Sequence, residues 1–203
     1  MRGPIILPVA LALAGGACAG PAAQAEIHGG IGMGGCASPL PGSAGEGGLR
    51  TSLVVDGGAD WNLLPAFSLG VQEIGSFGGG DLDLSNRDQA SESIQTWSSL
   101  LVLTRNWRSE RFRGRLGLSA GGGAFHLRDE IDHSGATLST SGWGPAAAVQ
   151  TVWAGDLSER ASYRLRLSWV WQHADLPIED NPGLRQKSDW SRLELTLGLG
   201  LGI

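Results

Sequence analysis

The last twelve residues of the chain alternate strictly between two kinds of side chain. From Arg192 to Ile203, every odd position is Leu or Ile, and every even position is polar or glycine. Successive side chains of a β-strand point to opposite faces, so this segment has one wholly apolar face. A tilted strand of this length is long enough to cross a hydrocarbon core. The pattern therefore predicts a membrane-spanning strand.

The same alternation recurs upstream and brings the total to eight segments. The seven others are centred on Ile27–Met33, Leu49–Val55, Leu63–Val71, Trp97–Trp107, Phe112–Leu118, Trp143–Trp153 and Tyr163–Trp171. An even number of antiparallel strands allows a barrel to close with both chain ends on one side. We therefore predict an all-β fold, an eight-stranded antiparallel up-and-down transmembrane β-barrel.

The predicted connections alternate between short and long. The short ones are Asp56–Asn62, Asn106–Glu110 and Ala154–Arg160, and the long polar ones are Cys36–Gly47, Ser76–Ser93, Arg128–Ser139 and Ala174–Ser188. This alternation is typical of outer-membrane barrels, which have tight periplasmic turns and long outer loops.

Aromatic residues fall near the predicted strand ends. The periplasmic set is Trp61, Trp107, Trp153 and Tyr163, and the outer set is Trp97, Phe125, Trp143, Trp169 and Trp171. Because indole rings prefer the membrane interface, these residues predict two girdles, one at each edge of an apolar band.

The first residues are predicted to form a targeting segment rather than part of the folded domain. Arg2 precedes a short apolar run, and Ala23-Gln24-Ala25 is an A-x-A cleavage site. We predict a signal peptide over residues 1–25 and the barrel over residues 26–203. Lipidation at Cys18 is an alternative, although its upstream residues do not form a good lipobox.

Composition narrows the function classes. The 203 residues suit one domain, and a net charge of −5 without a basic run argues against nucleic-acid binding. A soluble β-sandwich or lipocalin-like barrel stays open as an alternative, with its apolar residues inside and Arg164, Arg166, Arg192 and Glu194 on its surface. Ile203 at the terminus and Trp190, which is out of phase with the leucines after it, fit the membrane barrel less well.

Strand count, loop alternation and girdles together resemble the small eight-stranded outer-membrane barrels of the OmpA/OmpX type. The resemblance implies a lumen filled by side chains rather than an open channel. The lumen is expected to hold Arg50, Asp56, Gln72, Arg113, Arg115, Gln150, Arg164, Arg166, Arg192 and Glu194. Because buried charges need partners, we expect a salt-bridge network that includes further acids; an anion-preferring pore is the alternative.

Two segments carry candidate chemistry. Asp81, Asp83, Ser85 and Glu92 match positions one, three, five and twelve of a calcium loop, although no helix flanks them and a solvated acidic loop is the alternative. We expect no cofactor beyond weak Ca²⁺ or Mg²⁺ binding at the loops.

The second segment is His173-Ala174-Asp175, at the outer end of the seventh strand. It is similar to the His-x-Ser motif of the PagL-type lipid A deacylases, which implies a catalytic role for His173 in acyl ester hydrolysis. Asp175 stands where the nucleophilic serine would be, and a carboxylate does not replace a His-activated hydroxyl.

We therefore expect a non-enzymatic barrel in the outer membrane of a Gram-negative bacterium, exported by its signal peptide. Its expected role is envelope integrity, lipopolysaccharide contact or surface adhesion; a degenerate deacylase or a narrow pore are the alternatives. Expected partners are outer-membrane lipids, lipopolysaccharide and, during biogenesis, the barrel-assembly machinery. The sequence predicts no specific ligand and no oligomeric state.

Overall fold

The computed structural model describes residues 25–37, 49–64, 66–83, 89–109, 114–178 and 181–203, and at several strand ends it describes the backbone alone. Residues 1–24 of the predicted signal peptide, Cys18 among them, lie outside these ranges, and Ala25 is the first described residue; both assignments stay predictions. The described chain forms eight strands: β1 Ala25–Ala37, β2 Leu49–Leu64, β3 Phe67–Asp83, β4 Gln89–Ser109, β5 Gly114–His133, β6 Ala136–Asp156, β7 Ala161–Ile178 and β8 Asn181–Gly202. No helix in this part of the chain is long and apolar enough to cross a membrane.

The strands close into an antiparallel barrel in sequence order. Each strand pairs with the next, and β1 closes the ring by pairing with β8, where Ile31 lies opposite Leu197. The predicted eight-stranded up-and-down barrel is confirmed.

The two faces of the wall have opposite polarity, as the alternation predicts. Leu197 and Leu199 on β8 are more than 60% exposed on the outer face, whereas Arg192 and Glu194 on the inner face are 3% and 1% exposed. A soluble barrel would show the reverse arrangement, so that alternative is wrong. The outer surface is apolar and suited to lipid.

The strands continue beyond the span that a membrane requires. About ten residues cross a bilayer, but β4 to β6 contain 20 or 21 residues each. The predicted loop Arg128–Ser139 is a hairpin whose turn is Ser134-Gly135, with φ values of 50° and 84°. Glycine adopts this left-handed conformation without steric cost, as two-residue hairpin turns require.

The predicted loop boundaries are therefore wrong in several places. Most of Ser76–Ser93 and Ala174–Ser188 also belongs to strands, because hydrogen-bonded pairing continues after the apolar alternation has ended. The predicted turn Asp56–Asn62 lies within β2, which continues to Leu64 with a register shift at Asn62/Leu64, and β3 begins at Phe67. Asp56 and Asp60 are therefore members of ion pairs in the lumen rather than turn residues.

Most of the predicted girdle residues lie on the outer face. Trp97, Trp143, Trp169 and Trp171 are exposed towards the outer end, and Trp107 and Trp153 are exposed towards the periplasmic end. Tyr163 packs edge-on against Trp153, with 6.5 Å between ring centroids. The prediction that Phe125 belongs to the outer girdle is wrong, because this residue shares the parity of Ser119 and is buried in the lumen with 1% exposure.

Candidate functional site

The periplasmic half of the lumen is bridged by a chain of alternating charges. Arg115 on β5 pairs with Glu26 on β1, and Arg164 on β7 contacts Glu26 at 3.3 Å. Arg164 also contacts Asp60 on β2 at 3.0 Å. Glu26 and Arg115 form part of the wall of a recess of about 540 Å³ at the periplasmic mouth.

The chain of charges continues through a buried histidine. Nε2 of His28 lies 3.5 Å from Oδ2 of Asp60, while Arg166 donates to Nδ1 of His28 at 3.2 Å. Nδ1 can accept only if it carries no proton, so this arrangement places the histidine proton on Nε2, towards Asp60. Arg166 also pairs with Asp56 at 3.1 Å, and the side chains of both are at most 5% exposed.

These contacts confirm the predicted salt-bridge network and supply its missing acids. Three arginines alternate with Glu26, Asp60 and Asp56, so opposite charges match along the path. The sequence reading missed Glu26, Asp60 and His28, although each shares the lumen-facing parity of its strand. Arg192 and Glu194 form a separate pair at 3.0 Å. Of the other predicted lumen residues, Gln72 and Gln150 bond to each other at 2.7 Å; the side chains of Arg50 and Arg113 lie outside the described residues.

The lumen also contains a cluster of buried apolar side chains. Its members are buried to 5% exposure or less: Val54, Ile74, Leu100, Val102, Phe125, Leu127, Ala146, Ala148, Val170, Ala174 and Leu176. The Phe125 ring reaches Gly144 on β6, where an added Cβ would lie 2.7 Å from it. Interiors packed in this way hold few voids as large as a water molecule.

The predicted catalytic pair lies on the outer face of β7. The His173 ring stacks on Trp171, with 6.2 Å between centroids and 17° between planes. Asp175 follows on the same face, and in the backbone register His173 lies opposite Asp189 and Asp175 opposite Lys187. Both side chains take part in further interactions. This placement puts His173 at the outer girdle and does not test its catalytic role.

The predicted calcium ligands are only partly described. Asp81 and Asp83 are at the end of β3, described by backbone alone, and Ser85 lies outside the described residues. Glu92 points into the lumen at 3% exposure and has interaction partners. Among the described residues, no three His, Cys, Asp or Glu side chains lie close enough together to hold a metal ion. The calcium loop stays a prediction.

Above the outer girdle, the outward faces of β4, β5 and β6 form a polar surface that we call the extracellular wall. Three register rows cross it: Ser91–Asp132–Thr137, Ser93–Glu130–Ser139 and Gln95–Arg128–Ser141. A fourth row, Trp97–His126–Trp143, forms its aromatic base, where His126 packs edge-on against Trp143 at 5.0 Å.

The extracellular wall carries little net charge. Arg128 pairs with Glu130 at 2.5 Å, and Thr137 donates a hydrogen bond to Asp132 at 2.5 Å. Hydroxyl and amide groups make up most of the remaining surface, so the wall offers both donors and acceptors of hydrogen bonds.

Similarity to known proteins is confined to solved structures. No protein-family model matches the sequence, and no curated protein matches it. Neisserial surface protein A is 9% identical with a TM-score of 0.58, covering 87% of this chain and 96% of its own. Ail, the attachment invasion locus protein of Yersinia pestis, is 10% identical with a TM-score of 0.55, covering 89% and 99%. Ail in complex with the heparin analogue sucrose octasulfate is 10% identical with a TM-score of 0.53, covering 89% and 99%.

At this identity the likeness is one of fold. The chain has the fold of the small eight-stranded outer-membrane barrels, as the resemblance to the OmpA/OmpX type implies. Together with the apolar outer surface and the polar lumen, this fold assigns the chain to the outer membrane of a Gram-negative bacterium.

Proposed function

We propose that this protein is a closed, non-catalytic outer-membrane barrel whose extracellular wall contacts the carbohydrate of lipopolysaccharide and so supports envelope integrity. The observation that carries the proposal is that the polar rows of the extracellular wall lie directly above its aromatic base. Three polar rows rise directly from the level of Trp97 and Trp143, on strands paired as far as the Ser134-Gly135 turn. Sugar rings of a surrounding glycolipid lie at this height, just outside the interfacial aromatic residues.

The chemistry of the wall favours sugar over phosphate. Its serines, Thr137 and Gln95 can exchange hydrogen bonds with sugar hydroxyls, and its one arginine is already paired with Glu130. Lipid phosphates would need a divalent cation to approach Glu130 and Asp132, so we propose a modest contribution from Mg²⁺ or Ca²⁺.

Surface adhesion is the second candidate, favoured by the same projection of the wall. The Yersinia pestis Ail barrel has been solved with a heparin analogue, which associates a sulfated saccharide with a barrel of this fold. A shared fold does not transfer a ligand, so this observation supports only a carbohydrate as a reasonable first ligand to test.

We also propose that the barrel-assembly machinery inserts this protein into the outer membrane.

The test compares unfolding of the purified barrel in phospholipid bilayers with and without lipopolysaccharide. A ligand that binds only the folded state raises the unfolding midpoint. We expect lipopolysaccharide to stabilise the native protein, and to stabilise a triple variant, Ser91→Ala, Ser93→Ala and Gln95→Ala, less. The control changes Arg108→Ala and Glu159→Ala at the exposed periplasmic end, which the extracellular wall does not reach.

Equal midpoints with and without lipopolysaccharide would refute the proposal. Stabilisation that the triple variant keeps in full would place the contact elsewhere. Chelation of divalent cations should reduce the effect in part; an unchanged midpoint removes the cation contribution. Binding of soluble saccharides without stabilisation by lipopolysaccharide would favour adhesion instead.

A further inference from the structure

A carboxylate stands on the lipid-facing wall of the barrel. Glu73 on β3 shares the parity of Leu69, Val71 and the exposed Phe77, so it points outward rather than into the lumen. It lies two residues below Gly75, which pairs with the girdle residue Trp97. Glu73 is therefore just inside the outer membrane interface, where a charged group is costly and needs a partner.

Two side chains of the protein donate hydrogen bonds to one oxygen of this carboxylate. The Trp97 indole nitrogen and the Ser99 hydroxyl both donate to Oε2, each at 2.8 Å. Among the described residues, Oε1 accepts no hydrogen bond. The half-buried side chain is therefore held in place by two donors while its second oxygen stays accessible from the membrane side.

The residues around Glu73 leave its membrane-facing side uncovered. Gly57, the register neighbour of Glu73 on β2, has no side chain to cover it, and Val55, Val71 and Leu101 occupy the adjacent register rows of this apolar face. Gly75 allows the Trp97 ring to lie over the backbone, since a Cβ there would lie 2.6 Å from the ring. The indole is thus tied to the carboxylate rather than free to turn outward.

We propose that Glu73 is a binding subsite for the ammonium group of an amine-bearing lipid headgroup in the outer leaflet. An ammonium group complements the charge, supplies N–H donors for Oε1 and occurs at the depth of the interfacial aromatic residues. Its lipid chain would then run down the apolar surface beside Val71 and Leu101. The subsite uses none of the three polar rows of the extracellular wall and shares only Trp97 of its aromatic base, so it does not depend on the proposed function.

The experiment is native mass spectrometry of the barrel released from equimolar phosphatidylethanolamine and phosphatidylcholine with the same acyl chains. The two lipids differ only in whether the amine keeps its N–H donors. We expect the native protein to retain ethanolamine lipid over choline lipid by about fivefold, as one partly exposed ion pair allows. Glu73→Gln should bring the ratio close to one, since the amide keeps the bonds from Trp97 and Ser99 but loses the charge.

Glu130→Gln is the matched control. It removes a carboxylate from the same outer face but at the level of the extracellular wall, and it should keep the native ratio. All variants are first checked for the mobility shift between unboiled and boiled samples that marks a closed barrel. Because the bilayers contain no lipopolysaccharide, failure here does not touch the proposed function.

Three results would overturn the inference. A ratio of one for the native protein, or a preference that Glu73→Gln retains, would mean that the carboxylate binds no lipid amine. Retention of phosphatidylglycerol only in Mg²⁺, and its loss in Glu73→Gln, would make Glu73 a ligand for a bridging cation instead.

Discussion

Arg164 binds one oxygen of Asp60 through both of its terminal nitrogens, at 3.1 and 3.0 Å across the lumen. The two residues are 104 positions apart in the chain and lie on β7 and β2, which are not neighbours in the barrel. This bond, together with the contact from Arg164 to Glu26, ties distant parts of the wall together through the interior. Removal of Arg164 leaves Asp60 without its arginine partner and leaves Glu26 with Arg115 alone.

Arg164→Met should therefore destabilise the barrel strongly. Breaking a buried pair by removing one partner costs about 3–5 kcal/mol, because Asp60 and Glu26 would lose a compensating charge. Urea unfolding in lipid vesicles, followed by the gel mobility of unboiled samples, measures the change. Arg108→Ala is the control, because its pair with Asp156 at 3.7 Å is exposed and should matter by less than about 1 kcal/mol. Equal losses in both variants would contradict the structural role of the lumen network.

The native protein should not conduct ions. Phe125, Leu100 and other buried apolar side chains occupy part of the lumen, and desolvating an ion beside them is expensive. Planar bilayer recordings should show no stable current steps. Steps with an anion preference that disappears in Arg164→Met or Arg113→Ala would instead support the narrow pore considered from the sequence.

Gly75→Ala should disrupt the outer girdle. The added Cβ would meet the Trp97 ring at 2.6 and 2.8 Å, and the displaced indole would lose its bond to Glu73. A hydrogen bond to a charged group contributes about 1.5–3 kcal/mol, so unfolding should occur at lower urea concentration.

Gly80→Ala provides the comparison on the same strand. No atom of the described residues lies within 4 Å of the Cβ it would add, so it should be neutral or stabilise by up to about 1 kcal/mol. If Gly75→Ala behaves like Gly80→Ala, Trp97 is not fixed by its contact with the backbone.

Lipid A should keep all of its acyl chains in cells that express the protein. His173 stacks on Trp171 at the outer girdle, and Asp175 replaces the nucleophile that a deacylase requires. Mass spectrometry of lipid A from cells with and without the gene measures this directly. Loss of a chain in expressing cells only, abolished by His173→Ala, would establish the enzyme alternative.

The sequence by itself determined which side chains face lipid and which face the lumen. A β-strand alternates with a period of two, so the Leu and Ile run of β8 specifies its outer face without reference to any other strand. The same parity places Phe125 in the lumen, whereas its aromatic character alone indicates a girdle. Strand number follows from repetition of this local pattern.

The tertiary structure decided where the strands end and which residues meet. Beyond the membrane the outward face of a strand contacts water instead of lipid, so the apolar alternation stops while backbone pairing continues as far as His133 and Ala136. The contacts of Arg164 with Asp60 and of Trp97 with Glu73 depend on closure and register, and no local pattern encodes either. The sequence shows that Glu73 is a carboxylate on an otherwise apolar face. Only the structure shows that Trp97 and Ser99 donate to it while its second oxygen stays accessible, which is the basis for proposing that it binds a lipid.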